Sequence, residues 1–357
     1  MEILPSRIND SRHDIEIGSE ETDRGTGIDD RVSRQLSLPD NGASTNSIIF
    51  GPAQHVIRIR LMNIYRARKS SLVRFGRSVM EGDVGHHDLS ISELENLSND
   101  CRKHIVRMIH KAGAGHPGGS LSAIDIIVAL YGTRLRFDSS NPDWGDRDRF
   151  VMSKGHASPA VYSILHEMGF LSESDLSTFR TLGSVCQGHV DMKWTDGVDF
   201  SAGSLGMGLS FGLGCAIAAR MDSSSRETWV MVGDGELQEG QVWEAMMAAN
   251  FHEVSGLKMI VDRNRIQNDD FVNVQMEVGD VASKISSFGW NVKEIDGHDM
   301  GEIVDALKWA SDQGTGPSAI VAHTTKGKGI SFMEDNPSFH GKAPSDEELS
   351  LALEELS

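Results

Sequence analysis

From about residue 89 onward, two kinds of apolar pattern alternate along this chain. Short apolar-rich runs at Phe150 to Met152, Trp229 to Val232, Leu257 to Val261, Trp290 to Ile295 and Ser318 to Ala322 read as buried strands. Between them apolar residues recur at helical spacing. Leu94, Leu97, Cys101, Ile105, Met108 and Ile109 form one stripe within Leu89 to Ala112, and Val242, Trp243, Met246, Met247 and Phe251 form another between Gln238 and about Val254. Further helices are predicted at Leu121 to Gly132 with Ser120 as cap, Ser158 to Met168, from the glycines near 206 to about Arg220, and Gly301 to Ser311. Strands alternating with helices predict an α/β fold: a doubly wound, mostly parallel sheet with helices on both faces.

The first part of the chain lacks this pattern. Its first forty residues mix Asp, Glu, Ser and Arg with little periodicity, a composition that buries too little to fold alone. Ile48 to Met80 holds no acidic residue but carries Arg58, Arg60, Arg66, Arg68, Lys69, Arg74 and Arg77 among apolar positions. That suits a flexible extension, an anchor to an anionic surface or a partner-binding helix. Acidic residues within the first thirty argue against an organelle transit peptide. The boundaries that follow are a disordered extension over 1–85, one domain over 86–345 and a tail over 346–357.

Composition narrows the class. The 357 residues carry a formal charge of -18, which disfavours a nucleic-acid binder, and no apolar run approaches membrane-spanning length. The cysteines at 101, 186 and 215 are odd in number and lack metal-ligand spacing, so a reducing cytoplasm is expected.

The chemistry centres on Thr228 to Asp269. A strand ending in Gly233-Asp234-Gly235, a helix, and a second strand leading to Asp262-Arg263-Asn264 form a βαβ unit. Its two strands are parallel, so Asp234 and Asn264 emerge at one sheet edge, where ligands of open α/β sheets bind. A carboxylate, an amide oxygen and loop carbonyls after Asn264 suit a hard divalent cation that shares its shell with phosphate oxygens. An EF-hand is excluded for DRNRIQNDD, which lacks glycine at its sixth position and an acid at its twelfth. A lone Gly-Asp-Gly is more often a turn, and the acidic-x-Asn turn on the second strand is what makes it a site.

Glycine-rich breaks carry the remaining candidates. His116 lies in Gly113 to Gly119, just before a helix amino terminus where anions are favoured. His156 follows the strand at 150–152, and His189 sits in Gly188-His189-Val190-Asp191. Gly203 to Gly208 allow close backbone approach to a ligand, although Gly206, Gly208 and Gly212 miss the dinucleotide spacing by one residue. Lys326-Gly327-Lys328-Gly329 reads equally as a phosphate clamp or a solvated basic turn.

These motifs, in this order, resemble the amino-terminal half of transketolases over roughly Leu89 to Ala343: GAGHPGGSLSAIDI, RFVMSKGHASPAVY, GHVDMKW with AGSLGMGLSFGLG, GDGELQEG with the Asn264 turn, and KGKGISFMEDNPSFHGKAP. The resemblance implies thiamine diphosphate held through magnesium or calcium by Asp234, Asn264 and the carbonyl of Ile266, with contacts from Gly203, Leu205, Gly233, Gly235 and Glu236. It places His116, His156, His189 and His340 around the reacting carbon and the sugar hydroxyls, and Glu239 and Glu244 in a carboxylate network at a subunit interface. Val190 and Met207 depart from the usual proline and glutamine, which puts local contacts in doubt and leaves the fold untouched.

In transketolases the residues that activate the cofactor lie on a pyrimidine-binding domain that follows this one. The resemblance therefore implies a partner subunit carrying that domain, an α2β2 assembly, and ketol transfer between sugar phosphates. The competing readings are the α subunit of an oxo-acid dehydrogenase, a deoxyxylulose-phosphate-synthase-like subunit, and a silent regulatory subunit.

Overall fold

The computed structural model describes residues 87–268 and 270–357. The expectations for the extension over 1–85 lie outside the described residues.

Helix α1 (Ile91–Ala112) starts where Ser90 and Glu93 form a capping box and stops at Gly113, whose φ of 62° only glycine adopts freely. Helix α2 (Pro117–Thr133) begins four residues earlier than its sequence pattern indicated. His116 occupies the cap position and Pro117 fills the first turn, so Ser120 is inside the helix and its hydroxyl donates to the His116 carbonyl instead of capping. Residues 117–132 are all buried, which fits a helix apolar on every side.

Strand β1 (Arg149–Met152) leads through a short 3₁₀ turn into α3 (Ser158–Glu167), and α4 (Glu173–Leu176) and α5 (Met207–Met221) follow. Then come β2 (Thr228–Gly233), a 3₁₀ turn over Gly235–Gln238, α6 (Gly240–Phe251) and β3 (Leu257–Arg263). The chain closes with α7 (Val272–Gln275), α8 (Val281–Ser287), β4 (Asn291–Asp296), α9 (Met300–Ser311), β5 (Ser318–His323) and α10 (Asp346–Glu355). The segment expected as a tail is thus mostly helix: Ser345 and Glu348 cap it, and Ala352 and Leu356 bury against the core.

The five strands are all parallel in the order β1-β2-β3-β5-β4. Side chains alternate across β2: Trp229 and Met231 join a core built with α1, α2, α3 and α9, while Val230 and Val232 join one built with α5, α6 and α8. Helices on both faces explain why the central strands are apolar throughout. Among the described residues no helix is long and apolar enough to cross a membrane.

Helix α5 lies close on the sheet because its second residue is glycine. A Cβ on Gly208 would sit 2.8 Å from the Ser153 Cα and 2.4 Å from its hydroxyl. Gly208→Ala is expected to lower stability by about 1–3 kcal/mol through overpacking, measured by denaturant unfolding. An unchanged midpoint would show that the helix slides freely.

Candidate functional site

Parallel register brings the carboxyl ends of β1, β2, β3 and β5 together, and one carboxylate ties them. Asp262, fully buried at the end of β3, accepts from Ser122 Oγ of α2 at 2.7 Å and from Asn264 Nδ2 at 3.0 Å. It also takes Thr324 Oγ1 after β5 and forms an ion pair with Lys154 after β1. Burial alone pushes Asp262 up, but Lys154 and these hydrogen bonds outweigh it and hold the carboxyl below its usual range. Lys154 Nζ also donates to the Gly119 carbonyl at 2.8 Å, which fixes the first turn of α2.

Asp234 and Asn264 stand on the adjacent strand ends β2 and β3, as their spacing indicated. Asp234 is 3 % exposed; among the described residues its oxygens accept from backbone N–H groups, of Arg265 at 2.7 Å and Gly235 at 2.9 Å. Burial and the neighbouring Asp262 push its pKa up to about 6. A buried carboxylate without its own cationic partner is costly, and a bound cation removes that cost. Asn264 Oδ1 accepts from Ile266 N at 3.1 Å, and the Ile266 carbonyl accepts from Lys326 Nζ at 2.7 Å. Each of these oxygens keeps a lone pair for a hard cation. The set fits magnesium or calcium.

The four candidate histidines meet in one cluster. Ring centroids are 5.0 Å apart for His116 and His156, 5.3 Å for His156 and His340, 5.4 Å for His116 and His340, and 6.3 Å for His116 and His189. All four are held uncharged. Burial, with His189, Arg180 and Lys326 adding to it, lowers His116 to about 4, and burial beside Lys326 lowers His340 to about 3. Burial and Lys154 push His156 far down, and burial and Arg180 lower His189. The Nδ1 of His116 is buried without a hydrogen-bond partner, which a bound ligand would supply.

Glu236 is engaged by three hydrogen bonds within the protein. Its Oε1 accepts from Ser153 Oγ at 2.5 Å and Gly206 N at 2.8 Å, and Oε2 accepts from Gly233 N at 3.0 Å. The carboxylate therefore links the ends of β1 and β2 to the glycine loop before α5. In that loop Gly203 is open on its Cα side and Leu205 is half-buried. Glu239 and Glu244 are exposed at the start of α6, outside the histidine cluster.

Lys154, Asp262 and Arg180 are absent from the sequence candidates. Asp262 is the last residue but one of β3 and Lys154 stands two residues after β1, so position at a strand's carboxyl end is the available signal. Lys326 resolves the basic-turn ambiguity: it is 2 % exposed, bonds Ile266 O and His340 Nδ1 at 2.7 Å each, and burial beside Lys154 brings it down to about 7. It is not a solvated turn residue.

The family described as "Transketolase, thiamine diphosphate binding domain" matches residues 94–356. One subunit of the apulose-4-phosphate transketolase from Phocaeicola vulgatus is 38% identical over 269 residues, covering 75% of this chain and 95% of that protein. The 6-deoxy-6-sulfo-D-fructose transketolase subunit SqwG of a Clostridium species is 38% identical over 264 residues, covering 74% and 96%. The crystal structure of transketolase from Campylobacter jejuni aligns with a TM-score of 0.71 at 35% identity, over 75% of this chain and 43% of that one. The chain thus spans under half of that transketolase and nearly all of the two subunits. It belongs to the transketolase family and carries the family's thiamine-diphosphate-binding domain.

Proposed function

We propose that this chain is the diphosphate-binding subunit of a two-subunit transketolase, moving a two-carbon ketol unit from a ketose phosphate to an aldose. The observation that carries this is the meeting, at one sheet edge, of a hard-oxygen set with a cluster of uncharged imidazoles. Asp234, Asn264 and the Ile266 carbonyl hold magnesium or calcium, and through it the diphosphate. Gly203, Leu205, Gly233 and Gly235 line the approach, and Glu236 sets the loop that presents them.

Bound there, thiamine diphosphate supplies the electron sink for breaking and remaking the ketose carbon–carbon bond. His116, His156, His189 and His340 orient the sugar hydroxyls. Uncharged imidazoles both donate and accept, so each hydroxyl finds a partner whichever way it turns. Because their basicity is lowered by burial, they position the donor without drawing a proton from solvent.

Completion of the site falls to a partner carrying the pyrimidine-binding domain, in an α2β2 assembly. Two of the relatives named above are subunits of transketolases. Helix α6 also presents Glu244, Met247 and Phe251 on one exposed stripe, with Met247 55 % and Phe251 81 % exposed. Apolar side chains left out at helical spacing suit burial in an assembly, and Glu239 and Glu244 would then lie at its interface.

The test is calorimetric titration of thiamine diphosphate, with and without magnesium, into the chain alone and mixed with the neighbouring gene product that supplies the pyrimidine-binding half. Expected are magnesium-dependent binding, its loss on chelation, and ketol transfer in the mixture alone. Metal-independent binding would sink the assigned cation site. Binding without turnover in the mixture would favour a silent subunit.

A further inference from the structure

A second metal-competent group lies on the helical layer, in the packing of α1 against α3. One ring nitrogen each from His104 and His166 and a carboxylate oxygen of Glu167 all lie within 4.8 Å of one another. His104 comes from the middle of α1, and His166 and Glu167 are adjacent residues ending α3. Together the three bridge two helices.

Three features bear on a cation here. First, His104 Nε2 and Glu167 Oε1 are 2.9 Å apart, a hydrogen bond as they stand, and a small opening to roughly 3.4 Å would let both hold one ion at metal–ligand bonds of about 2.1 Å. Second, the Nδ1–H of His166 donates to the Leu171 carbonyl at 2.9 Å. That fixes the tautomer with the lone pair on Nε2, the second-shell arrangement that metal-binding histidines use. Third, His166 and Glu167 lie in the last turn of α3, where the unsatisfied carbonyls favour positive charge. Side chains of His104 and Glu167 are 12 % and 9 % exposed, sheltered from bulk water yet reachable from it.

We propose that His104, His166 and Glu167 form a transition-metal site, with zinc the fitting representative, that staples α1 to α3. Two imidazoles and one carboxylate are a donor set for zinc and its neighbours, whereas magnesium and calcium prefer oxygen alone. The site is separate from the cofactor edge: its residues share no contact with Asp234, Asn264 or Ile266. Three protein ligands leave one position for water, so the metal is exchangeable.

The experiment is competition for zinc between a chromophoric chelator and the untagged full chain, freed of metal beforehand, followed by cobalt substitution and visible spectroscopy. Because the cofactor-side histidines also cluster, the variants are H104Q and H166Q at the new site and H156Q at the other. One equivalent of zinc held by the wild type and by H156Q, and lost by H104Q and H166Q, is the expected result. The loss in affinity should exceed about tenfold, since second-shell changes alone reach that size. Zinc should also raise the melting temperature of the wild type and of H156Q and leave the other two unchanged. Zinc retained by H104Q and H166Q but lost by H156Q would overturn the site. So would no zinc uptake by the folded wild type, or a cobalt spectrum of a purely octahedral, oxygen-ligated ion. Circular dichroism on each variant separates loss of metal from loss of fold.

Discussion

Lys154→Met is expected to cost about 3–5 kcal/mol of stability, the loss associated with removing one partner of a buried ion pair. Asp262 and Lys154 are 0 % and 2 % exposed, so neither can turn to water when the other is gone. Methionine keeps most of the lysine's length, so the loss comes from the stranded charge and not from a cavity. In a domain of this size the change amounts to roughly 10 °C in melting temperature, read by differential scanning calorimetry. The double replacement K154M/D262N should recover a good part of it, because no uncompensated charge is then left inside. A fall below about 1 kcal/mol for K154M would mean that Thr324, Ser122 and Asn264 alone suffice for Asp262. Cofactor binding should weaken in K154M as well, since Lys154 holds the Gly119 carbonyl in the turn that follows His116.

Asp234→Asn separates stability from function in the opposite direction. The substitution keeps the shape and removes a charge that is buried near Asp262, but its amide nitrogen cannot accept, so one of the two backbone N–H groups, of Arg265 or Gly235, loses its partner. The two effects oppose each other, and the free chain should unfold within about 1 kcal/mol of the wild type. Magnesium-dependent binding of thiamine diphosphate should fall by more than about a hundredfold, beyond the effect of altering a supporting residue alone. Calorimetric titration and denaturant unfolding on one preparation measure both. A variant that both binds normally and is less stable would make Asp234 a structural residue and remove the basis of the cation site. Lys154 and Asp262 hold the edge together, whereas Asp234 is the residue there proposed to take a cation.

What the residues alone could specify followed from periodicity and from chain punctuation. The apolar runs at 229–232 and 257–261 predict β2 and β3, and a helix between two strands requires them to be parallel, so Asp234 and Asn264 stand side by side on sequence grounds alone. Likewise His116, His156 and His189 are marked separately, each beside its own glycine-containing break, while His340 is marked only by the family resemblance. Local boundaries are less legible where two signals compete. Ser120 looks like a cap, but Pro117 already sets the first helical φ, and the helix starts there. Residues 346–357 look like a solvated tail because their acids outnumber their bulky apolar residues, yet Ala352 and Leu356 suffice to dock α10.

The chain's own order thus determined its α/β class, the shared edge of β2 and β3 and the residue types available there. Only tertiary packing decided that Asp262, and not Asp234, takes the lysine, that Lys326 is buried against His340, and that Glu236 ties Ser153, Gly206 and Gly233 together. It alone brought His104 to His166 and Glu167. The physical reason is range. Helical and strand periodicity are set by neighbours a few residues apart, whereas the partner of a buried charge is whatever the fold places within about 4 Å of it, here across separations of 108 residues for Lys154 and Asp262 and 63 for His104 and Glu167.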